Sequence, residues 1–115
     1  MLPAKDSLEL LQQINSEKLF IKLVEQLNKD LQLANINESF NHSVSILGLK
    51  KGLSKLLLDL ISHNYDDYLN LLYRIDVSEN KLATIKTDSL DESIEIICFL
   101  VLKREFQKVW FKNRI

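Results

Sequence analysis

The stretch that decides the fold is Leu90-Asp-Glu-Ser-Ile-Glu-Ile-Ile-Cys-Phe-Leu-Val-Leu-Lys-Arg-Glu-Phe-Gln-Lys-Val-Trp-Phe-Lys112. It contains no glycine or proline, and Ser89 followed three residues later by Glu92 has the spacing of a capping box. The stretch therefore predicts a helix from Leu90 to about Lys112. Residues 96–102 are apolar on every side of that helix, so neighbouring helices, or a second copy of the chain, must cover most of its circumference.

The segments before this stretch carry the same helical periodicity. In the predicted helix 17–35 the apolar residues Phe20, Leu23, Val24, Leu27, Leu31 and Ala34 share one face, and Asp30 is assigned to the polar side. Further helices are predicted after an N-cap at Asp6 or Ser7, either separate from the helix 17–35 or continuous with it, from 46 or 49 to 62, over 65–75, and from Ser78 to about 85. The asparagine- and serine-rich residues 35–45 predict an irregular connection, because such side chains bond their own backbone.

Composition agrees with a helical domain. The chain has 115 residues, 46% of them hydrophobic and 27% charged, with only two glycines and one proline. An all-β fold would need turn residues about every 8–12 positions, and a chain of this length usually forms one domain. We therefore predict a single domain over residues 1–115, an all-α compact bundle of four to five helices with the apolar C-terminal helix at its centre.

Charge and cysteine content exclude several classes of protein. The formal net charge is −1, whereas a duplex-DNA binder usually has a strong basic bias. Cys98 is the only cysteine, so no internal disulfide can form, and its apolar neighbours predict a buried structural thiol. The N-terminus has no signal-peptide pattern, and no apolar run approaches the ~20 residues that span a bilayer. A cytoplasmic location is the expectation.

The C-terminal tip is the most suggestive feature. Residues 63–102 carry eight acids and three bases, whereas residues 103–115 carry five bases and one acid. The candidate interaction surface is Lys103, Arg104, Lys108, Trp110, Phe111, Lys112 and Arg114. Its aromatic and basic side chains would suit a protein partner or self-association, nucleic acid or a membrane surface. They would equally suit a last helical turn that packs into the bundle, with its cations at the negative end of the helix dipole.

A second candidate is a polar pocket near Tyr65, Asp66, Asp67 and His63, which would make the chain a small enzyme or ligand-binding protein. The sequence has no phosphate-binding loop, paired cysteine motif or nucleophile elbow. Its two histidines are too few for a recognisable transition-metal site. We therefore predict no catalytic residue, no metal and no cofactor.

The segments Tyr68-Leu-Asn-Leu-Leu-Tyr-Arg-Ile-Asp-Val-Ser-Glu and Leu102-Lys-Arg-Glu-Phe-Gln-Lys-Val-Trp-Phe resemble a family of small uncharacterised bacterial helical proteins. The resemblance covers the C-terminal half of the chain. It implies a small cytoplasmic helical protein and supplies no activity, cofactor or site residue.

The leading functional prediction is a non-enzymatic protein-interaction or regulatory module, with homodimer formation as one form of it. It depends on the surplus of apolar helix faces, the lack of a catalytic motif and the aromatic, basic tip. The alternatives are the polar pocket and, as a minor one, nucleic-acid contact through the tip.

Overall fold

A computed structural model of the chain describes residues 5–14 and 17–112. The described residues form an all-α bundle, which confirms the predicted fold class. Within residues 5–14 and 17–112, six helices follow one another: α1 (Ser7–Gln13), α2 (Glu17–Leu33), α3 (Ile46–His63), α4 (Tyr65–Ile75), α5 (Glu79–Ala83) and α6 (Leu90–Lys112). The count exceeds the predicted four to five because the short α1 and α5 are both separate helices.

Helix α6 lies at the centre, as predicted, and packs against α1, α2, α3 and α4. Its buried side chains are Ile94, Ile97, Cys98, Val101, Leu102, Glu105, Phe106 and Val109. The apolar run is not covered all round, however, because Ile96 is 36% exposed and Phe99 and Leu100 are only partly buried. One side of α6 therefore faces outward along its length.

Helix ends follow the sequence signals closely. Asp6 caps α1 by accepting a hydrogen bond from the Glu9 N–H, and Ser89 accepts one from the Glu92 N–H in the first turn of α6. Helix α2 ends at Leu33, two residues before the predicted end, because Asn35 is left-handed with φ of 60°. The N–H of Ile36 then bonds the Leu31 carbonyl in a Schellman motif.

The 35–45 connection is irregular, as predicted, and α2 holds it in place. The side-chain amide of Asn28 donates to the Phe40 carbonyl at 2.8 Å and accepts from the Phe40 N–H at 2.7 Å. The Phe40 ring lies so close to Gly52 that a Cβ there would stand 2.7 Å from its Cε1 atom. Gly52 therefore permits the close approach of this connection to α3.

Helix α4 buries one face and exposes the other. Tyr68, Leu72 and Ile75 are buried, whereas Tyr65 and Leu69 are 55% and 47% exposed. The helix ends at Asp76, whose φ of 71° is left-handed. The N–H of Val77 bonds the Leu72 carbonyl there, which turns the chain towards α5 and α6.

Cys98 is buried, as predicted. Burial raises the pKa of its thiol, and the nearby Ser7 and Ser54 side chains oppose that rise without cancelling it. A neutral buried thiol is a poor nucleophile. The residue acts as a small apolar group between α6 and its neighbours.

Candidate functional site

The predicted interaction surface occupies the last turns of α6, and Arg114 lies outside the described residues. Its other six members do not share one environment. Lys108 and Lys112 bond residues of α2, whereas Trp110 and Phe111 are exposed. The end of α6 therefore has an inward side and an outward side, which differ in chemistry.

The inward side holds a buried carboxyl pair from two helices. Glu105 of α6 is fully buried, and Asp30 of α2 is 3% exposed. The Lys108 Nζ lies 2.9 Å from Asp30 Oδ2 and 3.2 Å from Glu105 Oε1. One lysine therefore serves two carboxyl groups that are separated from water.

Further polar contacts surround this pair. Gln26 donates to Asp30 Oδ2 at 3.2 Å, and Lys112 donates to Gln26 Oε1 at 2.7 Å. The Lys108 Nζ is also 3.4 Å from the Arg74 carbonyl at the end of α4. We call Gln26, Asp30, Glu105 and Lys108 the inner network. Because residues 26 and 30 contact residues 112 and 108 respectively, α2 and α6 run antiparallel at this point.

The two carboxyl groups of the inner network differ in charge. Burial, together with the neighbouring Asp30, raises the pKa of Glu105 to about 9 against the opposing effect of Lys108. Burial raises the pKa of Asp30, but hydrogen bonds from Glu105, Lys108 and Gln26 outweigh this effect. The pKa of Asp30 therefore lies below its ordinary value. At neutral pH the pair therefore holds one proton on Glu105 and one negative charge on Asp30, which Lys108 balances.

That assignment also explains the hydrogen-bonding of Glu105. Among the described residues, neither of its carboxyl oxygens receives a hydrogen bond of good geometry. Burying a carboxylate that receives no hydrogen bond would cost several kcal/mol. Burying the neutral, protonated carboxyl costs less, and its O–H can donate to Asp30. Protonation of Glu105 thus allows it to lie buried beside Asp30 where α2 and α6 meet.

The outward side presents aromatic groups. Trp110 is 37% exposed and Phe111 is 60% exposed, and Phe111 is the one exposed member of the five phenylalanines, all of which are described. The Trp110 ring packs against Phe106, with centroids 6.3 Å apart. We call Trp110 and Phe111 the aromatic end. Because Phe106 is buried, it fixes Trp110 to the core while part of the indole remains accessible.

The remaining cations of the predicted surface lie beside the aromatic end. The Arg104 Nη2 is 3.1 Å from Asp76 Oδ2, and the Lys103 Nζ stands 5.8 Å from the centre of the Phe99 ring. Both residues line a cavity of about 300 Å³ between α6 and the turn that leads into α5. Lys81 of α5 lines the same cavity.

The residues of the alternative site near His63 lie at the junction of α3 and α4. His63, Tyr65 and Asp66 are exposed. Asp67 receives a hydrogen bond from the Asn64 side chain at 2.7 Å, and its N–H donates back to that N-cap residue. Tyr68 is buried and its ring packs 5.4 Å from that of Tyr65. These contacts form the start of α4, and the cavities of about 500, 490 and 300 Å³ are lined by other residues.

The sequence prediction missed Asp30 and Glu105. The prediction that Asp30 lies on the polar side of α2 is wrong, because Asp30 comes three residues after the buried Leu27 and is itself buried. Glu105 likewise lies four residues after Val101 and three after Leu102, on the apolar stripe of α6. An acidic residue at core spacing on each of two helices was the available signal.

Comparison with protein-family models, curated proteins and solved structures finds no match for this chain. The resemblance to small bacterial helical proteins therefore stays a prediction. Over residues 5–14 and 17–112, no group of three or more histidine, cysteine, aspartate or glutamate side chains could hold a metal ion. None of the helices in that part of the chain has the length and apolar character to cross a bilayer.

Proposed function

We propose that this chain is a non-enzymatic interaction module that binds another protein through the aromatic end of α6. The observation that supports the proposal is the exposure of Trp110 and Phe111 on a helix whose opposite side is fixed by the inner network. Tryptophan is enriched among the residues that dominate binding energy at protein interfaces. A cytoplasmic location is part of the proposal.

The fixed position of the aromatic end favours binding. Phe106 holds one edge of Trp110, and Lys108 ties the same helix to α2 and to the end of α4. A side chain that is already ordered loses little conformational entropy when a partner covers it. The aromatic end therefore contributes apolar contact at a small entropic cost.

Charge indicates the chemistry of the partner. Lys103, Gln107 and Trp110 are spaced i, i+4 and i+7, so they share one side of α6. Acidic residues of a partner can therefore reach Lys103 when its apolar groups cover Trp110, and opposite charges across an interface favour association of the correct pair. We therefore propose a different protein, with an apolar anchor for Trp110 and acidic residues near Lys103.

The test compares capture by three immobilised proteins: wild type, the double variant Trp110→Ala/Phe111→Ala, and Tyr73→Ala. Tyr73 is 81% exposed on α4 and controls for general aromatic adhesion. We expect a protein captured by wild type and by Tyr73→Ala to bind the double variant at least about tenfold more weakly. Far-UV circular dichroism checks that each variant keeps its helices.

Two results would contradict the proposal. Equal capture by all three proteins would show that the aromatic end is not part of the interface. Sedimentation velocity that shows a wild-type dimer, dissociated by Trp110→Ala/Phe111→Ala, would replace the acidic partner with a second copy of the chain.

A further inference from the structure

The cavity of about 300 Å³ beside the aromatic end has an unusual concentration of positive charge. Lys81, Lys103 and Arg104 line it, and Asp76 is the one carboxylate among its lining residues. The net charge of the lining side chains is therefore +2. We call this space the basic cavity.

Arg104 is incompletely paired at the wall of the basic cavity. Its Nη2 donates to Asp76, whose side chain is 77% exposed. Its Nε is buried and, within the described part of the chain, has no hydrogen-bond acceptor. An exposed ion pair of this kind contributes little, so an incoming anion can compete with Asp76 for the guanidinium group.

We propose that the basic cavity binds the phosphate group of a small phosphate monoester. Such a group carries about −1.5 to −2 charges at neutral pH and three acceptor oxygens, which matches the two net positive charges of the lining. A single carboxylate would neutralise only half of them. The basic cavity shares Lys103 with the proposed partner contact, but the inference does not depend on that partner, because phosphate binding is tested on the free chain.

The other lining residues suit the rest of such a ligand. Gln107 and the Ser78 hydroxyl supply neutral polar groups, and Val77 and Leu100 supply apolar surface for a short carbon chain. The volume stands at the lower end of ligand-binding cavities, which hold roughly 300–1,000 Å³. The site therefore fits a monoester of a few carbons better than a nucleotide.

The test is a titration of the full chain followed by backbone amide NMR, with glycerol phosphate as the probe. Inorganic phosphate, glycerol and sodium chloride at matched ionic strength are the comparison ligands. We expect saturable shifts from glycerol phosphate, confined to amides near residues 76–81 and 100–107. Lys103→Ala should raise the Kd about tenfold, whereas Lys55→Ala, an exposed lysine of α3 away from the cavity, should leave it unchanged.

A charge variant tests the same site in the opposite direction. Asp76→Asn removes the competing carboxylate and keeps a residue that tolerates the left-handed φ of 71°. It should lower the Kd by at least about threefold. Shifts that follow ionic strength alone, equal effects of Lys103→Ala and Lys55→Ala, or weaker binding by Asp76→Asn would overturn the site. Inorganic phosphate binding as tightly as glycerol phosphate would overturn the role of the apolar lining.

Discussion

Replacing Lys108 by methionine is expected to lower the free energy of unfolding by about 3–5 kcal/mol. Methionine keeps much of the aliphatic length of the side chain, but it removes the ammonium group 2.9 Å from Asp30. The charge on Asp30 would then be buried without its cation, which is far more costly than the loss of an exposed ion pair. Urea denaturation followed by circular dichroism measures the change.

The matched control is Lys50→Met. Lys50 lies 3.5 Å from Glu95, and the two side chains are 27% and 36% exposed, so this pair should contribute only about 0–1 kcal/mol. Adding Asp30→Asn to Lys108→Met should recover part of the lost stability, because the uncompensated charge is then gone. Equal losses for Lys108→Met and Lys50→Met, or no recovery in the double variant, would show that the inner network does not hold a charged Asp30.

The second large effect is on the pH dependence of stability. Folded Glu105 keeps its proton until pH about 9, whereas the unfolded chain releases it near the ordinary value of 4.5. Between these values the folded state binds more protons, so the free energy of unfolding falls as pH rises, by up to about 1.4 kcal/mol per pH unit from this group. Asp30 has the opposite effect on stability. Its pKa is lower in the folded state than the ordinary value of 3.8, so below pH about 3.8 the unfolded chain binds more protons and the free energy of unfolding falls as the pH falls.

Glu105→Gln isolates this contribution. The amide cannot ionise, so the variant should lose most of the decline between pH 5 and pH 9, and its stability should exceed that of wild type most clearly at high pH. Glu25→Gln replaces an exposed glutamate of α2 and should keep the wild-type slope. Urea midpoints at a series of pH values measure all three proteins. A wild-type slope equal to that of Glu105→Gln would mean that Glu105 is already ionised at pH 7.

The sequence predicted the helices of this fold because their signals are local. The bounds of α6, Leu90–Lys112, follow from the cap at Ser89 and the basic end of the helix, and the predicted helix 65–75 matches α4, Tyr65–Ile75. The end of α2 was placed two residues late, because the left-handed turn at Asn35 depends on one backbone conformation that asparagine adopts only in some contexts.

The candidate site was harder to predict because its contacts join distant parts of the chain. Lys108 and Asp30 are 78 positions apart, and no local pattern shows which helix faces which. The basic tip therefore looked like a single charged surface. In the structure Lys108 and Lys112 bond α2, Lys103 and Arg104 line the basic cavity, and Trp110 and Phe111 form the aromatic end.

The central claim is that Trp110 is an accessible binding residue that becomes covered by a partner protein. Trp110 is the only tryptophan in the sequence, so acrylamide quenching of the intrinsic fluorescence reports on this position in the unmodified chain. We expect efficient quenching in the free protein and strong protection once the captured partner is added. Quenching that is already weak in the free protein, or that stays unchanged in the complex, would contradict the claim.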